Sequence, residues 1–193
     1  MATPRFSSPP ASAVAGAVAL GLAAFAGPSS PAGAQTAASL EYPVKANYLV
    51  KFAAFVQWPA ESLGPSTPMT VCILGEDPFG AVLDRAAVAE VVDGHRVVVR
   101  RLDRVDARSG CQMIYLGASR EQTPAQALAA LAGAPVLTVT DSARGADRGI
   151  IHFAVSGQRV RFHIDDRRAA RARLSISSRL LSLALSVRPR GSA

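Results

Sequence analysis

Cysteine and lysine are both scarce: Cys72 and Cys111 are the only cysteines, and Lys45 and Lys51 the only lysines. Neither cysteine stands at zinc-ligand spacing, and the three histidines, His95, His152 and His163, include no pair at i, i+3 or i+4. A metal centre is therefore not expected, although His152 and His163 can face each other as a cross-strand pair. Serine chemistry lacks its frames too, since neither a G-x-S-x-G elbow nor an S-x-x-K run occurs. The turn Gly75-Glu76-Asp77-Pro78-Phe79-Gly80 stands where nucleotide-binding folds cradle phosphate. It has neither the G-x-G-x-x-G spacing nor a Walker lysine, and Glu76 and Asp77 would repel a phosphate. Its expected role is structural, with Asp77 capping a helix and Pro78 in the first turn. Without an acid/base pair in a defined setting, the sequence points away from an enzyme and from any cofactor.

Long charge-free apolar runs are equally rare, and the one present lies at the start. Arg5 supplies a charged leader, Ala11 to Ala26 carries no charge, and Ala32-Gly33-Ala34 gives a small-residue cleavage pattern before Gln35. Residues 1–34 thus read as a secretory signal peptide; the run is short for a membrane span. Residues 35–41 are expected to be flexible, residues 42–187 to form one α/β domain, and residues 188–193 a disordered tail. The formal charge is +7, and Arg5 is the only charge that cleavage would remove. Positive residues are spread among Asp and Glu, with one cluster at Arg167, Arg168, Arg171 and Arg173. That distribution, with an export signal, argues for a solvated basic face and against nucleic acid.

What is present is a strong helical stretch, Tyr42 to Pro59. Val44, Tyr48, Leu49, Phe52, Phe55 and Val56 share one half of the helical wheel, and Asn47, Lys51 and Gln57 take the other. The spacing predicts a helix from Pro43 to Gln57, stopped by Pro59. Lys45 alone breaks the apolar half, and its stem is expected to be buried with the ammonium lifted to water.

Downstream, strands are predicted at Met69–Leu74, Val97–Leu102, Cys111–Leu116 and Val136–Thr140, with helices at Pro78–Ala89 and Thr123–Ala132 between them. Such alternation implies a largely parallel sheet of five to six strands flanked by helices. Ile150–Val155 and Arg159–Ile164, separated by Ser156, Gly157 and Gln158, predict a C-terminal hairpin, which makes the expected sheet mixed with an antiparallel edge. Asp165 or Asp166 then caps a helix through Arg173, and a last helix covers Ser178–Val187 with Leu180, Leu181, Leu183 and Leu185. Cys72 and Cys111 each open an apolar strand. Adjacent parallel strands would bring them together as a disulfide; otherwise they are buried free thiols.

Several phrases together, YPVKANYLVKFAAFVQWP, VCILGEDPFG, GHRVVVRRLD, CQMIYLGAS, PVLTVTD and ISSRLLSLAL, resemble the YfiR family of small exported proteins over about Tyr42 to Val187. The resemblance implies a mixed sheet with flanking helices, a homodimer, and a disulfide at the positions of Cys72 and Cys111. A second cysteine pair found in some relatives has no counterpart in residues 142–151. It also implies a periplasmic inhibitor of a membrane-anchored diguanylate cyclase, which binds the cyclase's periplasmic sensor domain and is itself sequestered by an outer-membrane lipoprotein.

Two functions from different classes are thus expected of the chain. As an interaction protein it would dock through Tyr48, Phe52 or Phe55, unless these are core, or through Arg100 and Arg101 or Arg167 and Arg168. As a small-molecule-binding accessory module for another envelope receptor, it would hold a ligand at the strand ends near Asp77, Phe79 and Asp141.

Overall fold

The computed structural model describes residues 32–191. The expected signal peptide therefore falls, up to residue 31, outside the described residues, as do the last two residues of the tail. The chain runs through α1 (Ala32–Phe52), β1 (Val56–Gln57), β2 (Met69–Leu74), α2 (Ala81–Val88), β3 (Val91–Val92), β4 (His95–Leu102), β5 (Met113–Leu116), α3 (Pro124–Ala130) and β6 (Leu137–Asp141). It continues through β7 (Ile151–Ser156), β8 (Arg159–Asp165), α4 (Asp166–Arg171), β9 (Ser175–Ile176), α5 (Ser178–Leu183) and β10 (Ser186–Arg188).

Eight strands form one sheet in the order β10-β8-β7-β6-β5-β2-β4-β3. The sheet is mixed: β3 runs antiparallel to β4, and β7 antiparallel to β8. The expectation of a mixed, largely parallel sheet of five to six strands holds in its mixed character and is corrected in the rest: the short edge strands β3 and β10 raise the number to eight, and the sheet is mixed rather than largely parallel. Two or three residues carry too little periodicity to announce a strand, and both exist only because β4 and β8 offer open edges. A separate antiparallel pair joins β1 to β9, with Val56 opposite Ile176.

Alternation along the strands divides the interior into two cores. Val71, Ile73, Tyr115, Val139 and Phe153 face α1 and α2, whereas Cys72, Leu74, Ile114 and Leu116 face α3. α1 is the larger contributor, burying Ala46, Leu49, Val50 and Phe52 completely or nearly so. The Phe52 ring lies 5.1 Å from Phe162 and 5.7 Å from Phe153, centroid to centroid. On the other face Cys72 and Cys111 are joined by a disulfide, with Cα atoms 5.8 Å apart. The bond crosses from β2 to the segment entering β5, its neighbour in the sheet.

Three helices start or end three or more residues from expectation. α1 starts at Ala32 and takes in residues 35–41, and Pro43 lies inside the helix. The Asn47 side chain donates from Nδ2 to the Pro43 carbonyl at 2.9 Å. At its far end α1 stops at Phe52, tightens into a 3₁₀ turn over Ala53–Phe55, and becomes extended at Val56 to meet β9. α2 begins at Ala81 instead of Pro78 because Asp77 closes a turn first, its Oδ1 accepting from the Phe79 and Gly80 amides at 2.7 and 3.2 Å. Gly75 at the head of this turn has φ +68°, and a Cβ there would sit 2.1 Å from the Ala118 carbonyl oxygen. The last helix ends at Leu183 and not at Val187, since the Leu185 amide donates to the Phe162 carbonyl at 2.7 Å and draws the chain into β10. The tail expected to be disordered is engaged in part: Arg188 lies in β10, and Arg190 donates to both carboxylate oxygens of Asp166 at 2.7 and 3.0 Å.

Candidate functional site

α1 has two apolar stripes, and only one of them is spent on the core. The other, bearing Leu40, Val44 and Tyr48 and continued by Phe55 in the 3₁₀ turn that follows, forms one wall of an open groove of about 1120 Å³. The β7–β8 hairpin supplies the floor through Val155, Val160 and Phe162, and α5 closes the far side with Leu180 and Leu183. Leu40, Val44, Val155 and Leu183 are all exposed, with Leu183 retaining 56% of its surface. Contiguous exposed apolar surface with half-buried aromatics marks an interaction site in a soluble protein. Glu41, Asn47, Lys51 and Gln158 make the rim polar, and Arg159 and Arg161, whose side chains leave β8 on the sheet's other face, border it. Lys51 is held by Glu90 at 2.7 Å, whereas Arg159 and Arg161 have no ion-pair partner among the described residues.

Beneath the near end of α1 lies a buried polar cluster. Lys45 is fully buried, which corrects the expectation that it reaches water. Its Nζ donates to Asp141 Oδ2 at 2.6 Å and also pairs with Glu41. The same Asp141 oxygen accepts from the Tyr115 hydroxyl at 3.2 Å, and its Oδ1 accepts from the Ala143 amide at 3.0 Å. Burial, with the Asp141 charge beside it, pushes the Tyr115 hydroxyl well above its ordinary value, so it stays protonated and donates. The Tyr42 ring stands 5.1 Å from the Lys45 ammonium. Every group in the cluster has a partner, so it ties α1 to β6 and offers no free acid, base or nucleophile.

The strand-end ligand pocket expected at Asp77, Phe79 and Asp141 is brought together only in part. Phe79 is buried against the Tyr115 ring at 4.8 Å and Tyr42 at 5.9 Å, next to the Asp141 cluster. Asp77 points away, to Arg101 at 2.8 Å. The crevice beside Asp141 and Arg144 measures about 10 Å³, which holds no more than a water.

The four arginines singled out for partner binding do not line the groove. Arg100 and Arg101 are neighbours on β4 and therefore project to opposite faces. Arg100 donates to the Ser109 carbonyl at 2.8 Å. Arg101 clasps Asp84 through two bonds of 2.9 Å while reaching Asp77, and these bonds hold the Asp84 carboxyl below its ordinary range. Arg167 and Arg168 are exposed on α4, with Arg168 leaning on Asp165 at 3.5 Å.

His152 and His163 do pair across β7 and β8, with ring centroids 6.3 Å apart. The Thr140 hydroxyl lies 2.9 Å from His152 Nδ1, and the Ser186 hydroxyl 2.6 Å from His163 Nδ1. Burial and the nearby Arg148 charge lower both imidazoles below their ordinary value. Among the described residues no three His, Cys, Asp or Glu side chains converge as a metal site, and no helix is long and apolar enough to cross a membrane.

Sequence reasoning had the aromatic side of α1 but not the groove, because Val155, Val160 and Leu183 reach it from elements more than a hundred residues downstream. The arrangement is suited to holding another macromolecule. A family model described as YfiR/HmsC-like matches residues 42–185.

Proposed function

The chain belongs to the YfiR/HmsC-like family, whose members are periplasmic regulators of cyclic di-GMP signalling and not enzymes, and from that membership we propose that it restrains a membrane-anchored diguanylate cyclase by docking on the cyclase's periplasmic sensor domain. The observation that supports this reading is the groove between α1, the β7–β8 hairpin and α5, where exposed aliphatic side chains stand beside half-buried aromatic ones. In the same proposal residues 1–34 direct export and are removed, which leaves α1 starting at Gln35 with its Lys45 anchor intact. The oxidising compartment then suits the Cys72–Cys111 bond. The protein acts as a homodimer, and an outer-membrane lipoprotein relieves the restraint by sequestering it.

Intracellular cyclic di-GMP in a strain lacking the gene tests the reading. Deletion raises the level, and an export-competent copy restores it. A copy carrying Leu183→Asp fails to restore it, because a charge in the groove opposes docking while an exposed position tolerates the change. No rise on deletion would reject the cyclase reading, and full restoration by Leu183→Asp would reject the groove.

A further inference from the structure

Inside the groove, β8 has an edge that no strand covers. The hairpin turns through Gly157 and Gln158, with φ +56° and +60°, a two-residue loop of the kind that closes on a hydrogen-bonded pair. Ser156 and Arg159 are that pair, and alternation makes Ala154–Arg161 and His152–His163 hydrogen-bonded as well. Val160 and Phe162 therefore turn their backbone groups outward, away from β7. The Phe162 carbonyl confirms the direction by accepting from the Leu185 amide. β10 pairs with β8 only from His163 onward. The amide and carbonyl of Val160 are left facing the space between the hairpin and α5.

We propose that this edge takes an extended segment of another protein as an added strand, and that the segment alternates apolar with acidic residues. The proposal rests on the groove being the docking surface and specifies how the partner sits in it. Residues opposite one another in a sheet share a face. A partner residue beside Val160 or Phe162 would enter the apolar groove, whereas one beside Arg159 or Arg161 would project to the opposite face, where those two guanidinium groups lack ion-pair partners among the described residues. A second copy of β8 does not satisfy this pattern: antiparallel self-pairing about Val160 would set Arg159 against Arg161 in both directions. Like charges placed opposite are destabilising, so the occupant is a different polypeptide.

The test uses a blocked synthetic peptide, Thr-Glu-Val-Asp-Leu-Glu-Thr, against the control Thr-Lys-Val-Lys-Leu-Lys-Thr. The acidic peptide binds and slows hydrogen exchange at the Val160 amide by about tenfold, while the basic peptide does neither. Val160→Pro removes the outward donor and leaves the β7–β8 ladder whole; it weakens binding about tenfold. Arg161→Glu weakens the acidic peptide, admits the basic one, and carries the test alone if Val160→Pro does not fold. Equal binding of both peptides, or an unprotected Val160 amide, overturns the proposal. In the cyclic di-GMP assay, a folded Val160→Pro that restores the level when Leu183→Asp does not would overturn strand addition and leave the groove reading standing.

Discussion

Lys45 sits where the helical wheel asks for an apolar residue, and the reason lies in Asp141, far along the chain. Their 2.6 Å contact is closed off from water on both sides. Removing one partner leaves the other's charge buried, at a cost of about 3–5 kcal/mol. Lys45→Met is expected to lower the melting temperature on the order of 10 °C, followed by circular dichroism. Adding Asp141→Leu should recover more than half of the loss, since the pair as a whole is worth far less than its broken half. The second consequence at this scale concerns pH. Both His152 and His163 are lowered in the folded state, so the unfolded chain takes up their protons first. Their contribution to stability is complete above about pH 6.5 and is lost as pH falls through the lowered native values. The melting temperature should therefore fall between pH 7 and pH 5, and His152→Gln should flatten that fall. A pH-independent melting temperature would refute the assignment.

Among the elements, β2, β5 and β6 were legible because each is a short buried run bounded by turn residues, and β7 and β8 because period-two alternation brackets Gly157. β1, β3, β9 and β10 were not. Each is two or three residues long, and its conformation is set by a partner strand instead of its own side chains. The exit of α1 shows the same limit: nothing local at Val56 signals that Ile176 waits for it. The candidate site was half legible for a related reason. Tyr48, Phe52 and Phe55 could be read as anchors or as core, and packing divided them, sending Phe52 to the interior and leaving Tyr48 and Phe55 half-buried in the groove wall. The bond between Cys72 and Cys111 belongs to this scale, since it fastens β2 to the start of its neighbour. With a sequence separation of 39, the chain-entropy account assigns it about 4 kcal/mol. Cys72→Ser with Cys111→Ser should lose about that much in urea unfolding while keeping the far-ultraviolet spectrum of the folded protein.

In the whole molecule, two chain-distant connections join what the order of the sequence separates. α1 is held to β6 by Lys45 and Asp141, and the turn after α1 is paired to β9 near the opposite end. The positive charge distribution, legible from composition, resolves into local clasps such as Arg101 with Asp77 and Asp84 and Arg190 with Asp166, so the excess describes a surface and not a single anion site. The β1–β9 pair has a further consequence for how the fold is acquired. Until Ser175 and Ile176 are available, β1 has no partner strand, and until Ser186 to Arg188 are, the end of β8 has no β10. The domain is thus of high contact order, with a slow, late commitment step. A nascent chain would remain a substrate for proteases and holdase chaperones until β9 and β10 had emerged.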